Sequence, residues 1–83
     1  MNRWQFVVQQ RALEEIDTLR PAERRAVRAM LLSLVEDPWQ KPDAQIRPSN
    51  DRIYLVRNVE ALQVSYWLDA FAREVCIVRV ERR

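Results

Sequence analysis

At 83 residues with 48% apolar side chains, the chain is long enough for one packed domain, residues 1–83, and too apolar to be compositionally disordered. Its formal charge of +2 excludes a general polycation, yet the last eleven residues carry four Arg against two Glu, which allows a local anion site. With no His and a single Cys, Cys76, the chain lacks the parts for a His-based triad, a zinc cage or an internal disulfide. No metal or cofactor is therefore expected, and a cytoplasmic setting is favoured. No apolar run approaches the roughly 18 residues of a membrane span, and no signal-peptide core precedes the domain. Glycine is absent altogether. Gly-rich phosphate loops are excluded, and every turn must be made by other residues.

Trp4, Phe6 and Val8 alternate with Arg3, Gln5 and Val7, which predicts a first strand over Arg3 to Gln9 with one buried face. From about Gln10 the period changes. Ala12, Leu13, Ile16 and Leu19 recur at helical spacing, and Pro21 ends that helix near Leu19 by pushing Arg20 out of the α region. Pro21 also suits the first turn of a second helix, predicted to run to Glu36. Val27, Met30, Leu31, Leu34 and Val35 form its apolar stripe, and Asp37-Pro38 stops it. Arg24, Arg25 and Arg28 lie largely off that stripe and read as a solvated face. Two amphipathic helices joined this closely form an antiparallel hairpin.

Asp37 to Asp51 holds three prolines and little periodicity. A short edge segment at Gln45 to Arg47 and a core-anchored Trp39 are the expectations there. Three runs rich in Val, Ile, Leu, Tyr and Trp follow, at about 52–59, 62–69 and 74–81, and predict three antiparallel strands. In the middle one Leu62, Val64, Tyr66 and Leu68 share a face opposite Gln63, Ser65 and Trp67. In the last, Val75, Ile77, Val78 and Val80 break alternation, which calls for a bulge or two-sided burial near Ile77 and Val78.

The order is strand, helix, helix, Pro-rich loop, three antiparallel strands. With LVEDP at Leu34 to Pro38, then YLVRNVEALQVSYWL, then VCIVRVERR, the chain resembles the RelE/ParE superfamily of toxins from bacterial type II toxin–antitoxin systems. The resemblance spans nearly the whole chain. It implies an α+β fold in which the helical hairpin packs on a curved antiparallel sheet of about four strands. It also implies a cognate antitoxin as partner, and one of two targets: ribosome-bound mRNA, cut without a metal, as in RelE members, or DNA gyrase, as in ParE members. A member that has lost activity and only pairs with its antitoxin is a further alternative, and an unrelated α+β interaction module is the weakest.

Metal-independent RNA cutting needs an activated 2′-oxygen, cations around the pentavalent phosphate and an acid near the leaving oxygen. Carried over by position, the resemblance assigns Arg83, Arg57 and Gln63 to catalysis and Arg52, Arg79, Arg82 and Tyr66 to RNA binding. Gln63 stands where the family's middle strand usually carries a phosphate-binding arginine. It can hydrogen-bond a phosphate but cannot neutralise it. The family's C-terminal tyrosine has no counterpart up to Arg83. The nuclease expected on these residues is a weakened one.

Overall fold

The computed structural model describes residues 3–47 and 52–83. Residues 48–51, the end of the Pro-rich loop, lie outside that range. Seven elements follow one another: β1 Gln5–Val8, α1 Gln10–Asp17, α2 Pro21–Glu36, β2 Ala44–Ile46, β3 Tyr54–Val59, β4 Leu62–Asp69 and β5 Glu74–Arg82. The strands form one sheet in the order β1-β5-β4-β3-β2. This is the expected α+β fold with two corrections to the sheet. It has five strands rather than about four, because Ala44–Ile46 pairs with the outer edge of β3. It is also mixed, because β1 lies parallel to β5.

α2 has the predicted bounds, Pro21–Glu36, with Pro at the start where its missing N–H costs nothing. Val27, Met30, Leu31 and Leu34 of α2 are buried against Leu62, Val64, Tyr66, Val75, Ile77 and Val80 of the sheet. Trp4, Phe6 and Val8 close the β1 side of that core. Two apolar expectations fail. Leu13 is 51% exposed. α1 has only eight residues and sets Ala12 and Ile16, one turn apart, toward the core, which turns Leu13 away. Trp39 is 67% exposed rather than an anchor. Pro38 is the buried residue of that turn, and the Trp39 ring stands edge-on to Trp4 with centroids 5.8 Å apart.

Without glycine, two ordinary residues take up the left-handed backbone that the tight turns need. They are Glu60 (φ 56°) between β3 and β4, and Arg73 (φ 59°) before β5. The expected bulge is present. Ser65 pairs with Arg79 and Tyr66 with Ile77, which leaves Val78 without an opposite residue.

β1 stops at Val8, opposite Ile77, so β5 runs on past the end of its parallel neighbour. Exposed N–H groups on such an edge need a partner. α1 supplies it. Glu15 accepts the Val80 N–H at 2.8 Å through one oxygen and the Arg79 guanidinium at 2.8 and 3.0 Å through the other. A single carboxylate thus fastens the first helix to the last strand.

Candidate functional site

Directly paired residues of antiparallel strands point to the same face, so the register sorts the candidate residues. The inner face packs on the helices. It carries Leu55 with Tyr66, Arg57 with Val64, Val59 with Leu62, and Leu62 with Arg82. The outer face carries Val56 with Ser65, Asn58 with Gln63, Ser65 with Arg79, Gln63 with Glu81, and Trp67 with Cys76. No helix of this chain covers it.

Gln63 and Arg79 therefore share the outer face, and alternation places Arg83 there with them, two residues beyond Glu81. The Arg83 N–H donates to the Ala61 carbonyl at 2.8 Å, and its guanidinium donates to the Glu60 carbonyl, which holds it over the β3–β4 turn. Arg57 and Arg82 sit on the inner side, at its rim. Arg57 Nε donates to Asp43 at 3.3 Å. The same carboxylate oxygen accepts the Asn58 N–H at 2.7 Å. That backbone bond, more than the nearby Arg57 and Arg83, holds the Asp43 carboxyl below the usual carboxylate range. Arg82 grips Glu23 of α2 through a two-pronged bond of 2.7 and 3.1 Å.

Tyr66 lies at the centre of the core, fully buried, with no atom on the outer face. Its hydroxyl has no hydrogen-bond partner among the described residues. Burial pushes its pKa up, with the nearby Arg57 pulling the other way. Arg52 stacks on the outer-face ring of Trp67, its guanidinium carbon 3.7 Å from the ring centroid. The seven candidates thus fall into three groups. Arg52, Gln63, Arg79 and Arg83 share the open face; Arg57 and Arg82 tie the inner rim together; Tyr66 is core.

Charge on the open face is largely balanced. Arg79 is paired with Glu15 at 2.8 Å and with Glu81 at 3.1 Å. Burial raises the Glu15 pKa, but the Arg79 side chain and the Val80 N–H outweigh it and leave the carboxyl below its ordinary value. Next to Arg79 is an open groove of about 360 Å³, bordered by Arg11, Ile46, Tyr54, Ser65, Val78 and Glu81 among others. Sequence reasoning missed this groove and Arg11. Arg11 lies on α1 and reaches the face only because that helix is tied to β5. Cys76 lies buried beneath the face, and burial, with Glu74 and Asp69, pushes its thiol pKa up, so it is no activated nucleophile. Among the described residues, no three His, Cys, Asp or Glu side chains are placed to hold a metal ion. No helix among them is long and apolar enough to cross a membrane.

Glu23 makes a pH prediction. The Arg82 fork, with the Arg20 N–H at 3.1 Å, lowers its pKa from 4.5 to about 2. A carboxyl depressed in the folded state stabilises fully above its unfolded pKa, and that contribution fades as pH falls through the folded one. Wild type should therefore exceed Glu23→Gln in thermal midpoint at neutral pH, and the gap should close between pH 4.5 and about 2. A pH-independent gap in the melting curves would show that the ion pair contributes nothing.

No family's sequence profile matches the chain, and no curated protein matches it by sequence. Solved structures do match over nearly its whole length. The toxin–antitoxin complex RelBE2 from Mycobacterium tuberculosis matches with a TM-score of 0.77 at 19% identity, covering 99% of this chain and 100% of the other. The intact Escherichia coli RelBE complex gives 0.79 at 17% identity, covering 96% of each chain. The archaeal RelE–RelB complex from Pyrococcus horikoshii OT3 gives 0.81 at 12% identity, covering 99% and 97%. With its two helices packed on one face of a five-stranded mixed sheet, this chain has the fold of these RelE structures.

Proposed function

We propose that this chain is the toxin component of a type II toxin–antitoxin pair. In this reading it belongs to the lineage that cuts ribosome-bound mRNA, with weakened catalysis, and its partners are a cognate antitoxin and the message. The observation that carries the reading is the shared fold: solved structures of this architecture, covered almost end to end, include RelE chains in complex with RelB. On the open face Arg83 would stabilise the phosphate charge, Gln63 would hydrogen-bond it, and Arg79 and Arg52 would hold the strand. Arg57 and Arg82 would act from the rim by keeping the β3–β4 and β5 ends in place.

A second reading has its own support. Arg79 on the open face and Arg57 and Arg82 at its rim are each bonded to a carboxylate, and Gln63 is neutral. Such an arrangement suits a protein that binds an antitoxin, or DNA gyrase, without cutting RNA. One assay separates the two. Purified protein is added to ribosomes programmed with message, and cleavage is read by primer extension. The nuclease reading expects cuts in the message, weakened at least about tenfold by Arg83→Ala. Intact message together with blocked gyrase supercoiling would replace it with the second reading. Equal cutting by Arg83→Ala would remove Arg83 from the site. Growth arrest on expression, relieved by a co-expressed antitoxin, tests the toxin assignment shared by the nuclease and the gyrase-directed readings; no arrest would leave only an antitoxin-binding role.

A further inference from the structure

The register draws one continuous row across the outer face. Ile46 pairs with Tyr54, Trp67 with Cys76, and Cys76 with Val7. The β3–β4 register, whose last pair is Leu55 with Tyr66, places Tyr54 beside Trp67 when continued by one residue. Every strand thus adds an apolar or aromatic residue to a band on the face the helices leave uncovered. Ile46 and Val7 at its two ends are each 38% exposed, and the two rings between them are part-exposed. Burying this row in the core was not an option, because alternation spends the inner face on Tyr66, Leu68, Val75 and Ile77.

The cations on and beside the row, on the side away from Asp69 and Glu74, favour a polyanion with flat groups. Arg52 lies on the Trp67 ring, and Arg11 and Arg79 border the groove that runs past Tyr54. Aromatic rings and stacked guanidinium planes on an open sheet accept unpaired nucleobases, because every base has a π-face, while cations beside them follow the phosphates. An amphipathic helix would want a wider apolar floor than one row. Here Ser65 and Arg79 follow on one side, and Asp69 and Glu74 on the other.

We propose that Tyr54 and Trp67, with Arg52 stacked on Trp67, form a base-stacking platform for single-stranded RNA on the outer face. The proposal rests on the RNA-directed reading above. It adds a base-contacting site separate from the Gln63 and Arg83 end. Four residues of extended β4 separate Trp67 from Gln63, about 13 Å at roughly 3.3 Å per residue. A base held on the platform therefore fixes which phosphate, a few nucleotides along, reaches Gln63 and Arg83. The platform sets register and so governs where a strand is cut rather than how fast.

The test is the affinity of the full chain for a fluorescein-labelled, unstructured RNA decamer, read by anisotropy. Trp67→Ala is expected to weaken binding about tenfold, the scale of one lost base stack, while Trp67→Phe keeps affinity within about threefold. A decamer made abasic throughout should bind wild type about as weakly as the intact one binds Trp67→Ala, an arm that needs no variant to fold. Equal binding of intact and abasic strands would overturn the proposal. So would Trp67→Ala binding RNA normally but losing antitoxin in a pull-down, which would give the row to a protein partner. The ribosome assay stands apart: cutting by wild type with no base-dependent decamer binding sinks the platform alone, and base-dependent binding without cutting sinks the nuclease alone.

Discussion

Tyr66→Ala is expected to cost about 3–5 kcal/mol of folding stability, whereas Tyr66→Phe should change it by less than about 1 kcal/mol. Tyr66 is fully buried between Leu55 of β3 and Ile77 of β5, and it lies under the helices with Leu34 and Val64. Truncation removes a whole ring from the middle of the core and leaves a cavity that fixed strands on both sides cannot close. The hydroxyl is another matter. It is buried without a partner among the described residues, so deleting it removes a desolvated polar group and breaks no hydrogen bond among them. Urea unfolding of both variants decides the point. Equal, large losses would mean that the hydroxyl has a bonded role. A folded Tyr66→Phe that no longer bound or cut RNA would return the hydroxyl to the functional site despite its burial.

Glu15→Ala should cost about 2–3 kcal/mol, more than Arg79→Ala or Glu23→Gln at the other described ion-pair positions. Its carboxylate does two jobs at once, accepting the Val80 N–H and the Arg79 guanidinium. Removing it leaves an N–H of a buried residue on an unpaired strand edge and deprives Arg79 of its closer carboxylate, with Glu81 remaining. Arg79→Ala spares the backbone bond and should cost less, about 1 kcal/mol. The double variant separates the two parts: if it is as stable as Arg79→Ala alone, the Val80 bond contributes nothing. The same change has a local consequence. It leaves Arg79 with Glu81 alone and loosens α1 where Arg11 meets the groove, so decamer affinity should rise even as stability falls.

The elements were legible from the sequence for a simple reason. Each announces its period over enough residues to be counted. α2 shows five apolar positions on one stripe between two prolines, and its bounds match. β4 alternates without a fault from Leu62 to Leu68, and its inner face is the core. Even the bulge was legible, since Val78 interrupts an otherwise regular pattern and is the residue left unpaired. β2 was harder to place. Its three residues are all exposed, so no hydrophobic signal marks them, and only pairing with β3 makes them a strand.

The candidate site was legible in part. That basic residues gather near the last strand follows from composition and order, and that Gln63 stands where a cation would serve better is what the family resemblance implies. Which face each arginine occupies does not. One residue of register decides it: Arg57 pairs with Val64 and turns inward, and its neighbour Asn58 meets Gln63 on the open face. Partners are no more visible, because Glu15 and Arg79 lie 64 positions apart and meet only once α1 crosses the end of β1. The sequence by itself determined the two helices, the strands of the last third and the apolar set that joins them, because local periodicity carries that information. Only the tertiary structure decided which arginines face solvent, which are held by carboxylates, and that an aromatic row crosses the open face. Those depend on strand register and on contacts between distant segments, which no local pattern encodes.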